Sequence, residues 1–301
     1  MKIGIIGGGS IGLLFGYYLQ SYHHVTIFTH SIEQAEAIGA TKLTCVKNGQ
    51  PDSVPVGAHP FVSWSGADEL TIIAVKAYQL PAVLEQIKLK SKSPGTGTFL
   101  FLQNGMGHLR WLDQLPAKDI YAGSVEHGAH RTGAASVTHN GTGVTKVAVF
   151  RGSDSLLKKL IAPFSSEFPF VLEDNVEEML LSKLVVNAVI NPLTAVLNVR
   201  NGELIENPYY HQLLQNMFIE INDVLGLHDA DSHYQNVLGI CKKTASNYSS
   251  MLSDIKNGRM TEIDSILGYV VAEAERKQKE APLVHAFFQC IKGREYGGEE
   301  L

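Results

Sequence analysis

A parallel, doubly wound α/β sheet followed by an all-helical domain is the fold that the sequence predicts, and three observations predict it. A strand, a glycine-rich turn and a helix open the chain within residues 2–20. Strand and helix patterns then alternate. After about Phe170 strand patterns stop and long helical patterns take over. A chain of 301 residues suits one larger and one smaller domain, with the boundary expected at residues 1–173 and 174–301.

The elements follow in order. Residues 2–6 are a short β-rich run, 11–20 carry an apolar helical pattern, 25–28 form the next strand and 31–38 the next helix. Residues 70–75 are apolar except for Thr71, as in a strand buried on both faces, and a helix over 81–89 follows. A strand over 98–102 runs into the loop 103–107, and a helix is expected over 108–115. Later strands are read at 120–125, 135–139 and 145–150, with Gly141 and Gly143 giving a hairpin-like turn between the last two. The second domain reads as helices over 176–197, 209–225, 232–245 and 262–280. Pro282 and the segment 293–301 then close it as a short helix and a polar tail.

Composition excludes several classes of function. Hydrophobic residues make up 45% and charged residues 18%, the balance of a folded globular chain. A formal charge of −5 leaves no basic surplus for a nucleic-acid backbone or an anionic membrane. Cys45, Cys241 and Cys290 are far apart and have no metal-ligand spacing, so neither a disulfide framework nor a metal site is expected. No cleavable leader pattern follows Met1-Lys2-Ile3, and the apolar region 179–199 is broken by Lys183, Asn187, Asn191 and Pro192. A cytoplasmic protein is expected.

Gly7-Gly8-Gly9-Ser10-Ile11-Gly12 fits GxGxxG, in the context that gives the motif meaning: after a strand and at the start of a helix. Gly7 permits the tight turn, Gly9 lets the backbone approach a pyrophosphate, and Gly12 lets helix and sheet pack closely, with helix amides facing the anion. This dinucleotide-binding, Rossmann-type start implies a nicotinamide or flavin cofactor. The second strand ends Phe28-Thr29-His30-Ser31, without the carboxylate that would hold the adenosine ribose of NAD and repel a 2′-phosphate. Thr29 and Ser31 can donate hydrogen bonds and His30 can carry charge, which tilts the expectation to NADP. Lys76, just past the third apolar strand, is expected at the carboxyl edge of the sheet as a further cation.

In the helical part, Lys183, Asn187 and Asn191 are spaced i, i+4, i+8 and share one helical face amid Leu181, Leu184, Val185, Val186, Val189 and Ile190. An ammonium group in such company needs a partner or a wet cleft. The cleft reading makes Lys183 a general acid and the asparagines hydrogen-bond donors to an oxygen-rich substrate. Pro192 is expected to interrupt this helix near Ala188. Downstream, Asn247 and the adjacent serines can hold a carboxylate. Thr261 with Asp264 reads as a helix cap, and Glu262 is the candidate functional acid.

These residues resemble the ketopantoate reductase (2-dehydropantoate 2-reductase) family over essentially the whole chain. The resemblance is carried by the N-terminal GGGSIG, residues 75–79, 103–107, 127–129, 183–195, 201–204 and 247–264. It implies a Rossmann domain followed by a helical domain like that of 6-phosphogluconate dehydrogenase, with the site in the cleft between them. It also implies NADPH-dependent reduction of ketopantoate to pantoate, within pantothenate and coenzyme A biosynthesis. By motif position, Lys183 resembles the general acid, and Glu262 the acid beside substrate or cofactor. Asn104, Asn187, Asn191, Asn201, Asn247 and Ser250 resemble substrate ligands, and Lys76, Gln79, Asn104 and Ala129 cofactor contacts. The chain departs from the family's pattern in two places: no arginine ends strand two, and Leu181-Ser182 stands where many members have a tryptophan. The expected partner is a small 2-oxo acid bearing a hydroxyl, with a homodimer left open. Two alternatives stay open at this stage: a reductase of another 2-oxo or 3-oxo acid, and a non-catalytic NADP-binding redox sensor.

Overall fold

The computed structural model describes residues 1–90, 97–164 and 166–296. The chain divides into two compact units. The first comprises Met1–Gln103 and Leu109–Met179, and the second comprises Asn104–His108 and the residues from Leu180 onward.

In the first unit twelve strands are described: β1 (Lys2–Ile6), β2 (His24–Thr29), β3 (Leu43–Lys47), β4 (Gln50–Val54), β5 (Gly57–Pro60), β6 (Leu70–Ile73), β7 (Thr98–Phe101), β8 (Asp119–Val125), β9 (Gly128–Gly133), β10 (Ser136–Gly141), β11 (Thr145–Arg151) and β12 (Phe170–Glu173). Eight form one sheet in the order β12-β11-β8-β7-β6-β1-β2-β5, parallel except at the β8–β11 pair. The chain leaves central β1 towards β2 and returns at β6 on its other side. The order therefore reverses between β1 and β6, and the crevice at their carboxyl ends is where such sheets bind ligands.

Strand periodicity explains how the sheet is covered on both faces. Ile3 and Ile5, Val25 and Ile27, Leu70 and Ile72, and Leu100 share one buried cluster with Leu13, Leu14 and Phe15 of α1 (Ser10–Leu19). The alternate residues Ile6, Phe28, Ile73, Phe99 and Phe101 share another with Leu80, Val83, Leu84 and Ile87 of the helix Leu80–Lys90. A chain of polar side chains is buried beside the first cluster: the Tyr18 hydroxyl lies 2.8 Å from His139 Nδ1, and His139 Nε2 lies 3.2 Å from His127 Nδ1. Burial pushes His127 down to about 4 and lowers His139 as well.

Several expectations are corrected. The strands read at 135–139 and 145–150 are not joined as a hairpin. β10 pairs antiparallel with β9 and parallel with β3 in a separate sheet of order β4-β3-β10-β9, whereas β11 pairs with β8 of the main sheet. Gly143 is required for another reason: a Cβ there would lie 2.2 Å from the Glu126 carbonyl oxygen. The β3–β4 hairpin was not read, although Asn48 (φ 51°) and Gly49 (φ 76°) form the left-handed pair that a two-residue hairpin loop uses. The helix read over 108–115 is confined to Leu109–Leu112.

The second unit is helical: the long helix Val176–Leu197, whose residues before Leu180 belong to the first unit, is followed by Glu203–Glu206, Pro208–Leu225, Ala230–Lys243, Ser250–Lys256, Ile263–Lys277 and Pro282–Tyr296. Pro192 does not interrupt the first of these, which runs on to Leu197. Leu193, Thr194 and Ala195 are fully buried, and Thr194 Oγ1 donates to the Ile190 and Asn191 carbonyls, so packing outweighs the proline penalty of about 3 kcal/mol. That helix is long and apolar enough to cross a membrane, but 61% of its apolar window is buried inside the molecule. Thr261 is not the N-cap read from the sequence. Glu262 takes that position, because the Thr261 hydroxyl and amide both donate to Glu295 Oε1, at 2.6 and 2.8 Å. The closing helix is 15 residues long and includes Gly293, and residues 297–301 of the expected tail lie outside the described residues.

Candidate active site

The glycine turn takes the shape that a dinucleotide pyrophosphate needs. Gly7 has φ +119°, and a Cβ on it would come within 2.9–3.0 Å of the Ala74–Val75 backbone. A Cβ on Gly12 would lie 1.8 Å from the Gly7 carbonyl oxygen, so both positions exclude a side chain. Gly9, the N-cap of α1, has nothing within 4 Å of its would-be Cβ. The turn is therefore closed towards the sheet and open above the helix N-terminus, where an anion meets backbone amides and the positive end of the helix dipole.

At the end of β2, Thr29 is fully buried and its hydroxyl donates to the Ser31 carbonyl at 2.7 Å. Thr29 thus shapes the turn, leaving exposed His30 and half-buried Ser31 at the surface. Ser31 caps the helix Ile32–Thr41, its Oγ accepting from Gln34 N at 3.2 Å. Lys76 is half-buried after β6 and stands before a single 3₁₀ turn, Ala77–Gln79, with its amide donating to Gln79 Oε1 at 3.2 Å. Ala129 is half-buried on β9, opposite His139. Gln103, a residue that sequence reasoning left in a loop, is buried and donates from Nε2 to the Ile73 and Val75 carbonyls at 3.0 and 2.9 Å, which fixes the segment leading to Lys76.

In the second unit, Lys183 and Asn187 are half-buried and Asn191 is buried on one face of the long helix. Neither asparagine side-chain amide has a hydrogen-bond partner among the described residues. Glu262 is buried and accepts from Asn104 Nδ2 at 2.8 Å, so residues 158 apart in sequence meet. Gly105 makes this contact possible: its φ is +81°, and a Cβ there would lie 1.9 Å from the Ser265 carbonyl oxygen. His108 completes the group. It is buried with no hydrogen-bond partner on either ring nitrogen among the described residues, and burial pushes it down to about 4, with the Glu262 charge opposing that fall. Sequence reasoning missed His108, whose only signal was its place after the glycine-rich loop.

The remaining residues group differently. Asn201 Nδ2 donates to Thr244 Oγ1 at 2.8 Å, and Asn201 N donates to the Asn247 carbonyl at 3.0 Å. Asn201 is buried, so it secures the loop that carries exposed Asn247 and Ser250. Ser249, beside the serine chosen from the sequence, is the buried one. It caps the helix Ser250–Lys256, and its hydroxyl lies 2.8 Å from Thr194 Oγ1, within hydrogen-bond distance.

Comparison with known proteins agrees over the full length. The family model described as "Ketopantoate reductase PanE/ApbA" matches residues 3–152, and that described as "Ketopantoate reductase PanE/ApbA C terminal" matches 175–295. The 2-dehydropantoate 2-reductase of Bacillus subtilis (strain 168) is 39% identical over 297 residues, covering 98% of each chain. The crystal structure of a probable 2-dehydropantoate 2-reductase from Bacillus subtilis superposes with a TM-score of 0.89 at 38% identity, covering 98% of this chain and 100% of that one. A ternary structure of D-mandelate dehydrogenase with NADH and anilino(oxo)acetate also reaches 0.89, at 26% identity and 99% coverage of both. The chain belongs to the ketopantoate reductase family, oxidoreductases that act on a CH–OH group.

Proposed function

We propose that this protein reduces ketopantoate to pantoate with NADPH, in the cytoplasm, as a step of pantothenate and coenzyme A biosynthesis. Residues 1–173 are assigned to the cofactor and 174–301 to substrate and proton transfer. The observation that carries the reading is the helical face holding Lys183 with the amides of Asn187 and Asn191, which have no hydrogen-bond partner among the described residues. When bound, the reduced nicotinamide supplies hydride to the C2 carbonyl carbon.

The chain's own residues do the rest. Gly7, Gly8, Gly9, Ser10, Ile11 and Gly12 bind the pyrophosphate, with His30, Ser31, Lys76 and Gln79 along the cofactor's length. Lys183 Nζ donates a proton to the C2 oxygen as negative charge develops there, while Asn187 and Asn191 donate hydrogen bonds that orient the substrate. Asn247 and Ser250 present polar groups to its carboxylate or hydroxyl. Asn104 holds the carboxylate of Glu262 in a single orientation, close to the reacting groups. Positioned general-acid catalysis is worth about 10²–10⁴-fold. Lys183→Ala is therefore expected to lower kcat by about that factor while the dissociation constant for NADPH stays near the wild-type value. Near-normal turnover would remove Lys183 from the mechanism.

A second reading has a specific observation behind it. The D-mandelate dehydrogenase structure, as close in fold, carries NADH and an aryl 2-oxo acid analogue, so the same architecture also serves another 2-oxo acid and the unphosphorylated cofactor. Following NADPH and NADH oxidation separately, with ketopantoate and with simple 2-oxo acids, decides between the two. A rate with ketopantoate no better than with the simple acids favours the second.

A further inference from the structure

The end of β2 carries no arginine, yet the fold brings one there from elsewhere. Arg131 lies on β9, in the smaller sheet, and its amide donates to Ser10 Oγ at 3.0 Å within the glycine turn. Its guanidinium Nη1 donates to the Gly8 carbonyl at 3.4 Å, a long bond. Gln34 fastens this arrangement, because its Nε2 donates to both the Gly8 carbonyl (2.7 Å) and the Ala134 carbonyl (2.9 Å). The glycine turn, the start of the second helix and the segment 131–134 are thereby tied together.

An open cavity of about 460 Å³ lies at this junction, lined by Ser31, Glu33, Gln34, Arg131 and Thr132 among others. Arg131 is exposed and makes no ion pair among the described residues, so no described carboxylate neutralises its charge. In a sheet of this order the adenosine ribose lies at the end of the second strand, beside the glycine turn. A planar guanidinium there matches a phosphate through paired N–H donors, which a neutral ribose hydroxyl cannot use as fully. Glu33, two residues beyond Ser31 and on the same cavity, has the opposite preference: its carboxylate accepts from a ribose hydroxyl and repels a phosphate.

We propose that Arg131 selects the cofactor's 2′-phosphate, with Glu33 opposing it, so that cofactor preference is set by this pair across the cavity. The inference deepens, and rests on, the NADP reading above.

Direct binding tests it without turnover. Adenosine 2′,5′-bisphosphate and 5′-AMP are titrated by calorimetry into the wild type, Arg131→Ala, Arg131→Lys and Glu33→Gln. The wild type is expected to bind the bisphosphate at least about 10-fold more tightly than AMP, the size of one hydrogen-bonded charge pair. Arg131→Ala is expected to weaken the bisphosphate by about 10- to 100-fold and AMP by less than about twofold. Arg131→Lys should fall between, and Glu33→Gln should tighten the bisphosphate alone. A wild-type preference that survives Arg131→Ala unchanged overturns the role of Arg131 only. Equal weakening of both ligands overturns it too, since Arg131 would then merely brace the turn. A wild type without preference overturns the NADP reading, and this inference with it.

Discussion

The pairing of Asn104 with Glu262 depends on the glycine that follows Asn104 in the chain. Gly105 carries a left-handed backbone and sits where a methyl group would strike the Ser265 carbonyl. Gly105→Ala thus combines backbone strain with a collision against main chain, and a loss of about 1–3 kcal/mol in stability is expected, read from the urea midpoint. The displaced loop should also lower kcat, because Asn104 no longer steadies the Glu262 carboxylate, while affinity for adenosine fragments stays unchanged. Such residues mark the limit of sequence reading. Glu262 and Asn104 were each identifiable as candidates, but nothing in their spacing joined them, since the contact spans 158 positions. Arg131 was invisible for the same reason: its relation to Ser10 and Gly8 exists only once a separate sheet has folded over the turn.

At the scale of elements, the buried parallel strands were legible and the exposed ones were not. β6 and β7 are buried on both faces and apolar at three of their four positions, a pattern that strands inside a parallel sheet show. β4 and β9 are largely exposed, with sequences such as Gln-Pro-Asp-Ser-Val that carry no periodic signal, so their strand character comes from pairing alone. The long helix Val176–Leu197 was read to the residue, but its continuity through Pro192 was not, because the compensation is tertiary. Thr194 is central to that compensation, since its hydroxyl proton is shared between two carbonyls of its own helix while its oxygen lies 2.8 Å from the Ser249 hydroxyl. Thr194→Val keeps the volume and removes the donor. It is expected to cost about 1–2 kcal/mol in chemical denaturation, and to raise KM for the 2-oxo acid more than KM for the dinucleotide through the loosened 247–250 loop.

For the whole molecule, acid should be the sensitive direction. His108 and His127, both buried and both brought from 6.5 to about 4, bind fewer protons in the folded state than in the unfolded one. Their contribution is fully present above pH 6.5 and is lost as pH falls from 6.5 towards 4, where the unfolded chain gains protons that the native chain refuses. Each histidine gives up about 1.4 kcal/mol per pH unit over that window. Stability measured by urea denaturation should fall steeply between pH 6.5 and 4, and His127→Gln should flatten the slope. A slope that His127→Gln leaves unchanged would show that His127 is already protonated in the folded state.

The segment Asn104–His108 belongs with the helical unit although the chain on either side of it belongs to the other. The polypeptide therefore passes from one unit to the other three times, and a single cut at residue 174 does not separate two self-sufficient pieces. A chimera that joined this N-terminal half to a relative's C-terminal half would pair one protein's Asn104, Gly105 and His108 with another's Glu262 and Ser265. Recombination between family members is expected to succeed only when those five positions travel together, so the unit of inheritance for the acidic corner is a discontinuous set of residues.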